Sequence, residues 1–540
     1  MEITGRGKAG QPAKKVPAER STAPIMRREA VSTPPSLLFE RPADRENENR
    51  EQPSVFRDLN LDQVIASIVA RRDEYNLRPF FYSPLRSVAS IEYRQKVLRD
   101  LESQDALEAV RSFAKKMVIV RRHLSLVTKL QFELNKQGWL LHAAEVYCEA
   151  VSSLARGLGA LAIESRGLRA FHEYLEGYVK SDVYRSLASE ISKVKADLSS
   201  VRYCLLIKGN RFSVRTYEGE EDYSIEIERT FEKFKEEAPA NYITRFTDGP
   251  ETNHIEAAVL DLVARLYPDA FQQLEDFCAR HSDFLDSTVV NFDREVQFYL
   301  AYLEFIAALS SEGMPFCYPE LSAENKDVYS REGFDLALAK KLVGEGSSVV
   351  RNDFFLKGGE RIFVVNGPNQ GGKTTFARTF GQLHYFAALG LSVPGTEARL
   401  FLFDKILTHF ERQEKGDDLR SRLEDDLVRI HSILDESTPR SIIIINELFA
   451  SSTPQDGIFL GKKVLQRIIA LDALCVCVTF LDELGSLEKT VSMLSTVDPE
   501  NPDRRTFKIL RRPPDGLAYA AAIARKYRLS YEDVKERISR

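Results

Sequence analysis

Apolar positions along the chain follow two different periods. From Phe56 to about Leu309 the spacing is mostly helical, beginning with Leu59-Asn-Leu-Asp-Gln-Val-Ile-Ala-Ser-Ile. Long amphipathic runs follow over Ser87–Val127, Leu140–Ala162 and Leu168–Leu198, with two more over about Ile255–Arg280 and Asp293–Leu309. One stretch breaks the pattern. Val201-Arg-Tyr-Cys-Leu-Leu-Ile and Arg211-Phe-Ser-Val-Arg-Thr-Tyr flank Lys208-Gly-Asn, which predicts a β-hairpin about a Gly-Asn turn. Beyond about Tyr318 short apolar runs alternate with helical segments: Ile362-Phe-Val-Val-Asn, Ser441-Ile-Ile-Ile-Ile-Asn and Cys475-Val-Cys-Val-Thr. Strands that are apolar at every position are buried on both faces, so a parallel sheet covered by helices is expected there. Residues 1 to about 54 show neither period.

Those changes of pattern divide the chain into three expected parts. Residues 1–54 read as a disordered tail, too polar to offset the entropy of ordering. Its Leu38-Phe-Glu-Arg is expected to lack a folded surround. Residues 55–317 read as a mainly α-helical lever or core domain with a small β-hairpin near 201–228. Residues 318–540 read as an α/β domain. A chain of 540 residues is long enough for two or three domains.

Composition adds constraints rather than a function. The chain is 43% hydrophobic and 29% charged, as soluble globular proteins are. A formal net charge of −5 gives no global attraction to nucleic acid, so any DNA contact needs a local basic surface. The first thirty residues lean basic, which reads as a solvated tail. Six cysteines without regular spacing suggest no disulfide framework. Cys475 and Cys477 read as small buried hydrophobes on a strand. With no apolar leader and no run long enough to span a bilayer, the expectation is a cytoplasmic protein without membrane partners.

The chemistry is concentrated in Gly367-Pro368-Asn369-Gln370-Gly371-Gly372-Lys373-Thr374, which fits G-x-x-x-x-G-K-[ST] between a predicted strand and a predicted helix. Glycines let backbone N–H groups turn inward around phosphates, and the helix N-terminus adds its positive end. Lys373 would reach the β- and γ-phosphates, and Thr374 would place its hydroxyl on Mg²⁺. The expected ligands are ATP and Mg²⁺. A second element is the strand Ile442–Ile445 followed by Asn446-Glu447. A strand ending in an acidic pair commonly completes a phosphate site, one carboxylate ordering the metal's water shell and the next polarising the attacking water. Here Asn446 is neutral and Glu447 remains as general base.

Gly367-Pro-Asn-Gln-Gly-Gly-Lys-Thr-Thr375 resembles the Walker A loop of the MutS family of DNA mismatch-repair ATPases, whose usual form is GPNMGGKST. Neighbouring segments resemble that family in order and spacing: Val350-Arg-Asn-Asp353, Arg420-Ser-Arg-Leu-Glu-Asp-Asp-Leu, Asn446-Glu447 through Ser452-Thr453-Pro-Gln-Asp456-Gly457, and Asp515-Gly-Leu-Ala-Tyr-Ala-Ala-Ala-Ile-Ala. The resemblance extends from about Val349 to the C-terminus and is weaker over Phe56–Leu309. It implies an α/β P-loop ABC-type ATPase domain with a parallel-sheet core, joined to the helical lever.

The resemblance also implies roles. Gly372, Lys373 and Thr374 would bind phosphates and metal, and Glu447 would activate water. Ser421 would be the signature serine reaching the γ-phosphate on a second subunit, with Ser452 and Thr453 at the same interface. A homodimer with composite ATP sites is implied, with duplex, mismatched or branched DNA as the partner. Several positions depart from the family. Asn446 stands for the Walker B aspartate, Phe480 for the switch histidine after Thr479, and Val349 for the aromatic that stacks on adenine. Glu424, Asp425 and Asp426 make the signature loop charged. These departures predict slow hydrolysis or altered coupling, with nucleotide binding kept.

The family's mismatch-reading domain, with its Phe-x-Glu element, has no counterpart before Phe56 beyond the tail. A DNA clamp would have to fit into the hairpin, where Arg202, Lys208, Arg211 and Arg215 alternate with Tyr203, Phe212 and Tyr217. That surface reads equally as a phosphate grip and as an ordinary half-exposed hairpin. The leading expectation is a nucleotide-gated DNA-binding ATPase of mismatch repair or recombination. The alternatives are a nucleotide-binding scaffold with little turnover and a different ABC-type ATPase.

Overall fold

The computed structural model describes residues 36–40, 51–208, 211–220, 254–410, 422–449, 452–498, 504–513 and 535. The described residues all fall within a single compact unit that begins at Pro34.

The helical region opens with short helices α1 (Val55–Asp58), α2 (Leu61–Ile68) and α3 (Arg78–Tyr82). The longer α4 (Val88–Glu102), α5 (Gln104–Lys129), α6 (Glu133–Gly159), α7 (Arg166–Lys180) and α8 (Asp182–Ser200) follow. After the hairpin β1 (Tyr203–Lys208) and β2 (Arg211–Thr216) come α9 (His254–Leu266), α10 (Pro268–Arg280) and α11 (Ser287–Ser310). Three amphipathic runs are each divided by a residue that leaves the helix. Ser103 is extended between α4 and α5 (ψ 130°), and Ser181 caps α8 by accepting from the Tyr184 amide. Pro268 starts α10, where its missing N–H costs nothing. Helices α5 and α6, of 26 and 27 residues, pack against each other as an arm about 40 Å long. The hairpin runs in the predicted register, Lys208 opposite Arg211, and packs on α9.

The second region contains β3 (Phe316–Cys317), β4 (Glu320–Ser322), β5 (Val328–Gly333), α12 (Leu336–Gly344), β6 (Asn352–Leu356) and β7 (Ile362–Asn366). Helix α13 (Lys373–Ala388) and strands β8 (Val393–Pro394), β9 (Glu397–Phe401) and β10 (Ile406–His409) come next. It closes with α14 (Arg422–Glu436), β11 (Ile442–Asn446), α15 (Pro454–Leu471), β12 (Leu474–Val478), β13 (Thr490–Val497) and β14 (Arg505–Arg511). The main sheet has the order β10-β11-β12-β7-β13-β14. Its first five strands are parallel and β14 is antiparallel at the edge. A smaller sheet, β4-β9-β5-β6, lies beside it in the chain. Parallel strands apolar at every position confirm the expected mixed α/β architecture.

The sheet's two faces bury different cores. Ile362, Val364, Ile443, Ile445, Cys475 and Cys477 join a small cluster with Leu465 and Ile468 of α15. Phe363, Val365, Ile442, Ile444, Leu474 and Val476 belong to a much larger cluster that continues through α1–α8, α10 and α11. The helical region and this face of the sheet therefore share one core. Phe56 of α1 packs edge-on against both Tyr82 and Tyr385, the latter on α13. Gly381 of α13 permits the neighbouring approach of Leu59: a Cβ there would lie 2.9 Å from Leu59 and 2.7 Å from Ile444 Cδ1.

One expectation about the tail is corrected. Leu37, Leu38 and Phe39 are buried at 2%, 0% and 3% exposure in the large core. Their backbone is held as tightly as their side chains. The Leu37 amide donates to Glu295 Oε2 at 2.8 Å, and the Tyr299 hydroxyl donates to the Leu37 carbonyl at 2.7 Å. Arg94 Nε donates to the Leu38 carbonyl at 2.7 Å, and the Tyr93 hydroxyl to that of Ser36 at 2.7 Å. Five residues with three apolar side chains thus find a ready groove, which a reading of tail composition cannot see. Residues 1–35 and 41–50 lie outside the described residues.

Candidate functional site

The C-terminal ends of β7, β12 and β11 lie side by side at one edge of the main sheet. Open parallel sheets bind ligands at that edge. Gly367 follows β7 with φ 118°, a conformation that strains any residue with a Cβ, and a Cβ there would lie 2.8 Å from the Ser495 carbonyl oxygen. Gln370 is also left-handed (φ 57°), and Gly372 (φ 91°) is the N-cap of α13. Thr374 and Thr375 fall in the first turn of that helix, whose N-terminal amides favour an anion.

Strands β13 and β14 brace the loop from far along the chain. The Ser495 hydroxyl donates to the Gly371 carbonyl at 2.7 Å across 124 residues, and Arg505 Nε donates to the Asn369 carbonyl at 3.2 Å across 136. Sequence reasoning missed both residues. Nothing in their local spacing marks them; the parallel β13–β7 pairing sets Ser495 beside the loop, and the antiparallel β13–β14 pair brings Arg505 there.

Lys373 is 5% exposed and folds back on its own loop. Its ammonium donates to the Gly367 carbonyl at 2.8 Å and to the Pro368 carbonyl at 3.0 Å. The Phe480 ring lies beneath it, with its centroid 4.3 Å from Nζ. Burial is the largest influence on this amine and pushes its pKa down to about 8; Glu447 opposes that shift and Arg505 adds to it.

Thr374 and Asn446 meet, the Thr374 hydroxyl donating to Asn446 Oδ1 at 2.8 Å. Glu447 follows in a left-handed conformation (φ 60°), its amide bound to the Val478 carbonyl at 2.9 Å. That conformation turns the chain at the end of β11 beside Lys373, on which Glu447 acts electrostatically. Thr453 caps α15 and donates to Asp456 Oδ2 at 2.7 Å.

Other expected residues fare differently. Val349 is 6% exposed within the large core. Ser421 and the segment 515–524 lie outside the described residues. The hairpin leaves Tyr203 and Tyr217 exposed, at 44% and 39%, while Arg215 is paired with Glu220 at 2.6 Å. Among the described residues no three His, Cys, Asp or Glu side chains converge on a metal position, and no helix is long and apolar enough to cross a membrane.

Helix α13 links this edge to the helical region. Arg378 Nε donates to the Asp58 carbonyl at 2.9 Å, Gln382 Nε2 to that of Leu59 at 2.9 Å, and the Tyr385 hydroxyl to that of Phe81 at 2.9 Å. At its far end Arg94, wholly buried, donates to the carbonyls of Leu389 (3.0 Å) and Leu38 (2.7 Å). The phosphate-loop helix is thus fastened to α1, α3, α4 and the segment Ser36–Glu40.

Comparison with known proteins agrees with this geometry. Residues 363–511 match the family model described as MutS domain V. The chain is 25% identical over 248 residues to the DNA mismatch repair protein MutS of Thermotoga maritima, covering 44% of this chain and 29% of that protein. It is 28% identical over 263 residues to the endonuclease MutS2 of Shouchella clausii, covering 47% and 31%. A MutS of Rickettsia bellii is 32% identical over 204 residues, covering 35% and 22%. The chain matches less than a third of the length of each of these relatives. Over residues 363–511, therefore, the chain carries a region similar to MutS domain V.

Proposed function

We propose that the chain is an ATP-dependent DNA-binding protein of mismatch repair or recombination, in which nucleotide binding at Gly367–Thr374 switches a dimer. The observation that carries the nucleotide part is the loop itself: two left-handed glycines, a helix N-terminus and a buried lysine at the end of a parallel strand. Such a cradle fits a polyphosphate. Gly371, Gly372, Lys373, Thr374 and Thr375 would hold the phosphates. The hard oxygen donors of Thr374 and Asn446 fit Mg²⁺, which when bound would neutralise charge on the terminal phosphates. Since Asn446 is neutral and Glu447 is the nearby carboxylate, the phosphates would supply most of that cation's negative ligands. Glu447 would orient and deprotonate the attacking water, and the loss of the Asn446 charge favours slow turnover.

The DNA part rests on the names of the relatives, one a mismatch repair protein and one an endonuclease. The fastening of α13 to the helical region supports coupling. A phosphate that shifts α13 acts on the same core that carries the α5–α6 arm. The domain division at about residue 317, the second-subunit role of Ser421 and the interface role of Ser452 and Thr453 are part of this proposal, as is a cytoplasmic location.

A second reading, a nucleotide-binding scaffold with little turnover, is favoured by Asn446 and by the aromatic Phe480. Steady-state ATP hydrolysis by wild type, Glu447→Ala and Asn446→Asp separates the two. The enzyme reading expects wild type well above Glu447→Ala, with Asn446→Asp faster still; equal rates for all three leave the scaffold. Binding to homoduplex, mismatched and four-way-junction DNA over a salt series, with and without ATP, tests the partner. Absence of binding to all three at low salt removes DNA from the proposal.

A further inference from the structure

Lys373 sits between three groups that are not phosphate. Two of its ammonium protons are taken by the Gly367 and Pro368 carbonyls at 2.8 and 3.0 Å, and the Phe480 ring faces the group at 4.3 Å. The ring's place is fixed by the sheet. The amide of buried Thr479 donates to the Val365 carbonyl at 3.1 Å, and the Thr479 hydroxyl accepts from the Leu481 amide at 3.1 Å. Phe480 is therefore held where β12 ends, one strand from the loop, although the residue is 48% exposed. The ring of a half-exposed phenylalanine thus stands against a buried ammonium. A ring face attracts a cation electrostatically.

We propose that Phe480 is a positioning residue that parks Lys373 on the carbonyls of its own loop, so that the β- and γ-phosphates of a nucleotide must displace this arrangement to engage the lysine. This rests on the nucleotide reading of the loop and adds its regulation. The parked state satisfies the ammonium without ligand and sets a threshold for the phosphate end of the nucleotide alone. A lysine in this loop position reaches the β- and γ-phosphates, so a monophosphate would meet no such competition. Glu447 and Arg505 also face the ammonium electrostatically. They act equally in variants that change only Phe480.

The test uses the full chain with three side chains at position 480. Phe480→Leu keeps apolar bulk and loses the ring face; Phe480→Tyr keeps the face and serves as the conservative control. Binding of ATP, ADP and AMP is measured by competition against a fluorescent ATP analogue. Losing the ring is expected to tighten ATP and ADP roughly 2- to 30-fold, the span of a cation–π contact, with AMP unchanged and Phe480→Tyr like wild type. A second measurement needs no nucleotide: acylation of Lys373 by acetic anhydride, read by mass spectrometry. Lys373 should react faster in Phe480→Leu than in wild type or Phe480→Tyr. Faster acylation in a protein that binds no nucleotide upholds the parking and removes the nucleotide reading. Unchanged acylation, weaker ATP binding in Phe480→Leu, or an equal shift for AMP overturns the proposal.

Discussion

The two faces of the main sheet are equally apolar and lead to different places. One face closes on α14 and α15 in a cluster of its own, whereas the other merges with the core of the whole helical region. The phosphate loop and α13 belong to the second face. A change at the loop therefore has a packed route to the helical arm, while the α15 face can loosen with less effect elsewhere. Interiors packed to crystal density transmit displacement. The location of a helix on the sheet thus decides what its motion reaches.

The sharpest way to break that contrast is one truncation on each face. Phe380 of α13 is wholly buried and touches the rings of Phe354, Phe363 and His384. Phe380→Ala should cost about 4 kcal/mol and lower a single transition in which sheet and helical region unfold together, followed by calorimetry and circular dichroism. Ile468→Ala, in the smaller cluster, should cost about 3 kcal/mol. Its faster amide hydrogen exchange should be confined largely to α14, α15 and their strands. Equal spread of exchange for both variants would erase the distinction between the faces.

Leu38→Ala sharpens the comparison from the other end. If Ser36–Glu40 is part of the large core, truncating this fully buried side chain costs about 2–3 kcal/mol in chemical denaturation. A tail that merely rests on the surface would show almost no loss. The smallest effect concerns protons. With the Lys373 pKa lowered to about 8 by burial, the free protein begins to lose the ammonium proton above that pH, while a bound phosphate restores it. ATP affinity should therefore be level in this respect below pH 8. It should then fall by at most tenfold per pH unit above it, about 1.4 kcal/mol per unit. Lys373→Arg, checked by calorimetry, should flatten that limb.

How much of this was legible in the sequence depended on whether the signal was local. The β7, β11 and β12 strands are continuous apolar runs, and the loop carries its own motif, so both were readable in place. The two motifs were readable separately, whereas the Thr374–Asn446 bond between them depends on the sheet register. Ser36–Glu40 was not readable, because five residues cannot display a period and their partners, Arg94, Glu295 and Tyr299, lie far along the chain. The burial of Val349, at 6% exposure, was likewise not readable from its position in the sequence. The merging of the helical region with one sheet face depends on Leu59 meeting Gly381 and Phe56 meeting Tyr385, and none of these residues announces its partner.

The central claim is that Gly367–Thr374 is a nucleoside triphosphate site whose lysine binds the terminal phosphates. Its most direct test is titration calorimetry of ATP with Mg²⁺ into wild type and Lys373→Ala, with folding of both verified. The account predicts saturable one-site binding by wild type and at least a tenfold loss in the variant, corresponding to about 1.4 kcal/mol or more. Equal affinities, or no binding by folded wild type, would contradict it.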